Sequence, residues 1–333
     1  MLLATTVIIS HAWPLGGFGA DPGRAFNNLG ILAVECFFAL SGFLIARSGT
    51  RLGVGRFLWH RIVRIFPGLI VVLLFVAVIA APLVWRSSGH RLSQYPFAEP
   101  SPLAYLLNNV LLQNGQQNIG DTLSTNPFPS MWNGPLYTLP FEFLCYLMVA
   151  ALIAFGILGA RSIALVTLAA WISLQVQESG LIGVVDTRQA RFTLAFFVGA
   201  LIYFHRDTIL RRDRWWIPAV AVIVCVGTYL TVGFFQLGII ALAYLVIWAG
   251  CTLPFHRVGA RRDYSYGMYI YGWPVAQLAS YWGANQFGVA IYLLVVLVGT
   301  FALAAASWHL VESHALRWKG AVAPRSLAAE LNR

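Results

Sequence analysis

Charge is scarce in this chain. Asp, Glu, Lys and Arg together make up 10% of its 333 residues, where a soluble protein carries about 25%. That shortage excludes an ordinary solvated surface, and 59% of the residues are hydrophobic instead. Acids are the scarcer sign, 12 against 22 Lys and Arg. In so apolar a chain the resulting +10 says little about nucleic acid; what carries information is where the basic residues fall. Cysteine is sparse too. Cys36, Cys145, Cys225 and Cys251 lie in or beside apolar stretches without CxxC spacing, which excludes a zinc cluster or a disulfide framework and leaves buried thiols. The first apolar stretch lacks both a basic n-region and a small-x-small site, so it is not expected to be a cleavable signal peptide. Repeats, heptads and a separate soluble domain are also missing.

What is present is a series of long apolar runs. A membrane-crossing helix needs about 20 mostly apolar residues. Stretches near that length are 1–19, 28–46, 65–85, 136–157, 161–176, 190–205, 215–232, 234–251, 264–283 and 287–310. The chain therefore reads as an all-α, polytopic transmembrane bundle of about ten helices. A single membrane domain is expected over 1–312, with 313–333 a short, basic, frayed cytoplasmic tail. If the first helix runs from inside to outside, only Arg24, Arg86, Arg91, Arg188 and Arg191 of the 22 basic residues fall outside. That bias sets both termini in the cytoplasm. It also places the one long loop, 86–135, outside. The loop is rich in Pro, Asn, Ser and Gln. Its amides and aromatics, turned outward, would suit a hydroxyl-rich sugar; the plainer reading is a connector.

Between the second and third runs, Arg47, Arg51, Arg56, His60, Arg61 and Arg64 form a basic elbow without an acid, and the next helix is expected to start at Ile65. Arg61 and Arg64 are three apart and share a helical face. Two guanidiniums on one face make a fork for phosphate oxygens; otherwise they are topology charges.

Ionisable groups inside apolar runs are costly and mark candidate sites. His11 lies in VIISHAWPLGG. A neutral imidazole takes a proton from a hydroxyl, which is general-base chemistry; the alternative is a histidine that only bonds a neighbouring helix. Glu35 opens the second helix and reads as a cap at its outer end, while Ser41-Gly42 lets another helix approach closely. Glu142 follows Pro135 and Pro140 in NGPLYTLPFEFLCYL, and a helix broken there frees backbone groups that need a wet or buried setting. Arg191 is expected to pair with Asp186 or to snorkel outward. His309 and Glu312 share a face at three-residue spacing. An HxxE pair lacks the second histidine of HExxH, so no metal is expected. The aromatic run 261–277 reads as an interfacial belt, with sugar stacking the weaker alternative.

In this order the residues resemble a known family, the integral-membrane acyltransferases of family 3, which O-acylate extracytoplasmic glycans. VECFFALSGFLI resembles the family's acid-x-FF-x-L-SGFLI signature, with Glu35 as the acid. RFLWHRIVRIFP resembles its basic RxxR-then-Pro elbow, NGPLYTLPFEFLCY its NGSLWTLPYEFxCY block, DYSYGMYIYGWPV its late SYGxYLxxxP block, and HLVE its closing pattern. The resemblance implies an enzyme of the bacterial inner membrane. It would move an acyl group, commonly acetyl, from cytoplasmic acyl-CoA to a hydroxyl of an extracytoplasmic polysaccharide or glycolipid, with no permanently bound cofactor. It implies that His11 and Glu142 are catalytic and that Arg61 and Arg64 hold the acyl-CoA phosphates. Glu35, Ser41, Asn133, Tyr137, Tyr264, His309 and Glu312 would support them. His11 would either deprotonate the acceptor or carry the acyl group itself, and Glu142 would orient the imidazole as the acid of a triad does. Two departures stand out. Tyr137 replaces the family's usual Trp. The family also has an arginine eleven positions before its histidine, and counting back from His11 falls one place before Met1, so the native start is expected upstream. A rival class is a glycan or small-molecule transporter or flippase, which also needs intramembrane His and Glu and broken helices. It predicts a repeat between the two halves that the sequence lacks.

Overall fold

Each apolar run of the sequence becomes a helix. A computed structural model describes residues 1–24, 27–180, 187–211, 213–231, 234, 236–253 and 262–322. The helices in chain order are α1 (Leu2–Gly16), α2 (Leu29–Gly49), α3 (Val54–Leu74), α4 (Ala81–Ser87), α5 (Pro102–Val110), α6 (Leu139–Ala154), α7 (Ala160–Glu178), α8 (Thr187–Ile209), α9 (Trp216–Leu230), α10 (Gly238–Thr252), α11 (Ser265–Tyr281) and α12 (Val289–Ser307). Among the described residues the only sheet is a two-residue antiparallel pair, β1 (Gly23–Arg24) and β2 (Asn27–Asn28). Among the described residues four helices are long and apolar enough to cross a membrane: Leu29–Gly49, Val54–Ser87, Gly134–Ala154 and Val289–Gly320; α1, α9 and α10 are shorter apolar helices.

Two boundaries differ from the sequence reading. The basic elbow turns only over residues 50–53. α3 starts at Val54, eleven residues before the expected Ile65, and runs through a π-helical stretch Phe75–Ala80 into α4. Its first turns are amphipathic: Phe57, Val63 and Ile65 are buried while Arg56, Arg61 and Arg64 are not. A mixed face of this kind satisfies the helical period while defeating a search for apolar runs. The segment after α12 is not frayed as far as it is described. Trp59 Nε1 donates to the Trp318 carbonyl at 2.8 Å and His60 Nε2 lies 3.2 Å from that of Lys319. Residues 323–333, with Arg325 and Arg333, lie outside the described residues, as do Arg212, Arg257 and Arg261 of the inner charge set.

The long loop is also more than a connector. It contains α5, and it buries Trp132 and Tyr105 completely or nearly so. Its amides, expected to face outward, are partly spent inside. Asn126 donates to the Gln277 amide oxygen at 2.7 Å, and Gln277 donates to the Phe128 and Met131 carbonyls at 2.8 and 2.7 Å. Buried amides must be satisfied in this way.

The chain packs into two compact units: Met1–Gly30 with Trp59–Pro140 and Arg262–Arg333, and Ile31–Leu58 with Phe141–Arg261. In the first, α11 packs against α1 and α12. Gly267 permits the α12 contact, since a Cβ there would lie 3.0 Å from Ala304 Cα, and Gly272 makes room for Ile8 of α1. In the second, α8 packs against α7 and α10, and α10 against α9. The close approach expected at Ser41-Gly42 is made by α8: Gly42 rests on the Phe196 backbone, and Gly199 rests on that of Ala39. Small residues facing each other in this way let two backbones touch.

Candidate active site

His11 sits near the end of α1, and the chain reverses just beyond it. Gly17 closes the helix in the left-handed region at φ 76°, Gly19 follows at φ 123°, and the turn brings Asp21 back over the helix. These glycines allow a backbone path that side chains rarely adopt. The Asp21 Oδ1 atom then receives two neighbours. Ser10 Oγ donates to it at 3.0 Å, and His11 Nδ1 lies 3.3 Å away. Ser10 Oγ in turn accepts the Gly30 N–H at 2.9 Å, at the start of α2. Ser10 is fully buried, whereas the His11 and Asp21 side chains keep 24% and 25% of their exposure. The Trp273 ring stands edge-on to the imidazole, centroids 5.1 Å apart. Trp273 is itself fixed by a bond from its Nε1 to the Met131 carbonyl, by the Phe128 ring, and by Gly134, where a Cβ would come within 2.9 Å. Asn133 is buried beside Gly134 and donates to the Ile270 carbonyl at 2.9 Å. Tyr137 is half-buried in the 3-10 turn Gly134–Thr138.

Arg61 and Arg64 of α3 lie in the same unit. Arg64 is ion-paired to Asp263 at 2.5 Å and stands over the Tyr266 ring. Burial alone would push the Asp263 carboxyl up. The Arg64 guanidinium and the Ser265 hydroxyl and N–H outweigh it and hold the carboxyl below its ordinary range. Arg61, one turn earlier, is half-buried. Glu312 and His309 do not share a face as expected. They lie in a π-turn, Trp308–Glu312, whose wider winding separates residues three apart. Glu312 is buried, accepts the Ser307 hydroxyl at 2.8 Å and faces Gly68 of α3; His309 is exposed and meets the Tyr264 hydroxyl at 3.0 Å.

Two further polar clusters lie in the second unit. Glu142, in the first turn of α6, accepts the Ser41 hydroxyl at 2.9 Å and that of Tyr146. Glu35 is not an interfacial cap. It is 1% exposed and ion-paired at 2.6 Å to Arg191, itself 3% exposed. Arg191 thus turns inward; Asp186, its expected partner, lies outside the described residues. A charge removed from water needs a partner, and each supplies the other's.

Reading the sequence missed Asp21 and Trp273 beside His11, and Asp263 beside Arg64. Only Asp21 left a trace: it is the sole acid before Glu35, in a glycine-rich turn ten residues after the histidine.

A family model described as an acyltransferase domain matches residues 1–309. The chain is 25% identical over 333 residues to a protein of Shigella phage Sf6 named O-acetyl transferase, covering 95% of this chain and 94% of that one. It is 26% identical over 368 residues to Nodulation protein 10 of Rhizobium leguminosarum bv. viciae, covering 98% and 94%. No solved structure matches. With a family match over nearly its whole length and several helices able to cross a bilayer, the chain belongs to acyltransferase family 3 and is a membrane O-acyltransferase.

Proposed function

We propose that this enzyme transfers an acyl group, acetyl by preference, from cytoplasmic acyl-CoA to a hydroxyl of an extracytoplasmic polysaccharide or glycolipid, in the bacterial inner membrane. The observation that carries the reading is the placement of the His11–Asp21 pair and the arginine face of α3 in one packed unit, both touching α11 or its first turn. Asp263 precedes the first residue of α11 and Trp273 lies eight residues further along it. At 1.5 Å per residue Asp263 and Trp273, ten residues apart, set the two ends of the site about 15 Å apart along that helix direction. Arg61 and Arg64 would hold the CoA phosphates, the thioester arm running from there toward His11.

The chemistry follows. The imidazole takes the acceptor's O–H proton as its oxygen attacks the thioester carbon. A C–O bond forms, the C–S bond breaks, and the imidazolium returns the proton to the departing thiolate. Glu142 stays a candidate catalytic group through its hydrogen bonds with Ser41 and Tyr146. The name of the phage relative supports acetyl as the group moved. Thiol release from acetyl-CoA by purified protein tests the reading: it should vanish in His11→Ala and fall in Glu142→Gln with the fold intact. Wild-type release in His11→Ala would overturn it. Mass spectrometry of surface glycans, with and without the enzyme, identifies the acceptor.

A further inference from the structure

We propose that Asp21 is the positioning residue for His11, and that it makes Nε2 the nitrogen that meets the acceptor hydroxyl. This rests on reading His11 as the base. The argument runs through Ser10. Its hydroxyl accepts the Gly30 N–H at 2.9 Å, so its own proton goes to Asp21 Oδ1 at 3.0 Å. An ionised carboxylate only accepts hydrogen bonds. The second neighbour of Oδ1, His11 Nδ1 at 3.3 Å, must therefore bring a proton. A neutral imidazole with its proton on Nδ1 has its lone pair on Nε2. The tautomer is thus set by a carboxylate that is itself held in place, which is the division of labour in hydrolase triads.

The supporting structure is local and rigid. Ser10 ties α1, the Gly17–Pro22 turn and the start of α2 into one knot, with its hydroxyl at the centre. The edge of Trp273 limits rotation of the imidazole from another side. A separation of 3.3 Å is long for such a bond, and catalytic hydrogen bonds commonly tighten only with substrate present.

During transfer the acceptor's proton moves to Nε2 while the Nδ1 proton stays shared with Asp21. The imidazolium that forms lies beside a negative charge, and Asp21 remains a carboxylate throughout. When the thiolate leaves, the Nε2 proton goes to sulfur and the starting tautomer is restored.

The test uses full-length protein in nanodiscs, with acetyl-CoA as the probe and thiol release as the readout, for the wild type, His11→Ala, Asp21→Asn and Asp21→Glu. Asp21→Asn should lower kcat about a hundredfold, within the range for general acid–base groups. KM for acetyl-CoA should stay within about twofold, and Asp21→Glu should recover part of the loss, since the charge rather than the shape is what positions and balances the imidazole. A tether that merely holds the turn would not give that split and rescue. Wild-type kcat in Asp21→Asn, with His11→Ala inactive, overturns the proposal and leaves the base assignment standing. Activity in His11→Ala overturns the base assignment itself. Independently of how any Asp21 variant folds, 15N NMR of histidine-labelled wild type, with His11 assigned by its loss in His11→Ala, should show Nδ1 protonated. The opposite tautomer overturns the proposal.

Discussion

Glu35 and Arg191 sit 156 positions apart and meet with side chains 1% and 3% exposed. Removing the arginine strands a carboxylate away from water, and breaking a buried pair this way costs about 3–5 kcal/mol. Arg191→Ala should therefore lower the unfolding temperature in detergent sharply. Replacing both residues by apolar ones of similar size should cost much less; equal losses in the two variants would show that the charge pairing is not what matters. The Arg64–Asp263 pair, more exposed, is better probed by pH. The Asp263 carboxyl is held below its ordinary value despite its burial. Its contribution is then fully present above the unfolded value of about 3.9 and is lost as pH falls through the lower folded value. Thermal melts should decline in that acid window and decline less in Asp263→Asn; parallel curves would remove the pair from the acid response. His11, Glu35 and Glu142 were visible in the sequence because ionisable groups are conspicuous in apolar runs. Their partners were not. Asp21 reaches His11 only because Gly17 and Gly19 turn the chain, and Arg191 reaches Glu35 only because α2 and α8 touch backbone to backbone.

Each apolar run in the sequence became a helix, since a run of about 20 such residues has few other solutions in a membrane. The failures came where a helix is not apolar all round. The first three turns of α3 interleave Arg56, Arg61 and Arg64 with the buried Phe57, Val63 and Ile65, so density of charge was mistaken for a turn. The π-turn after α12 defeated the pairing of His309 with Glu312 for a different reason: spacing predicts a shared face only if the winding is regular. The contact between α2 and α8 was half legible. Ser41-Gly42 announced a close approach but could not say to what. Because Gly42 rests on the Phe196 carbonyl, backbone rather than a movable side chain, the interface cannot yield to a larger residue. Gly42→Leu should cost at least the 1–3 kcal/mol typical of overpacking, seen as a lower melting temperature and loss of monodispersity in detergent. Gly227, where nothing lies within 4 Å, is the control: Gly227→Ala should leave the melt essentially unchanged. A melt of Gly42→Leu equal to wild type would mean that the two helices do not touch there.

For the whole molecule, the chemistry has a sidedness that charge distribution alone proposes. Lys and Arg gather in the segments assigned to the inside, the basic start of α3 among them. Acyl-CoA is made in the cytoplasm and is too polar to cross a bilayer unaided, so its phosphates should be met there. The glycan is proposed on the other face. Inverted vesicles, which expose the cytoplasmic face, should release thiol from added acetyl-CoA, while sealed right-side-out vesicles should not until they are permeabilised. Arg61→Ala with Arg64→Ala should raise the KM for acetyl-CoA by about tenfold or more, since a charge-assisted hydrogen bond contributes about 1.5–3 kcal/mol and each factor of ten is 1.4 kcal/mol. The acceptor's KM should hardly move. A further arm separates charge from position: Arg61→Lys with Arg64→Lys keeps both cations but loses the planar fork, so a donor KM between wild type and the double alanine assigns part of the grip to bidentate geometry. An unchanged donor KM in the double alanine variant would return both arginines to the role of topology charges and leave the phosphates to be held elsewhere.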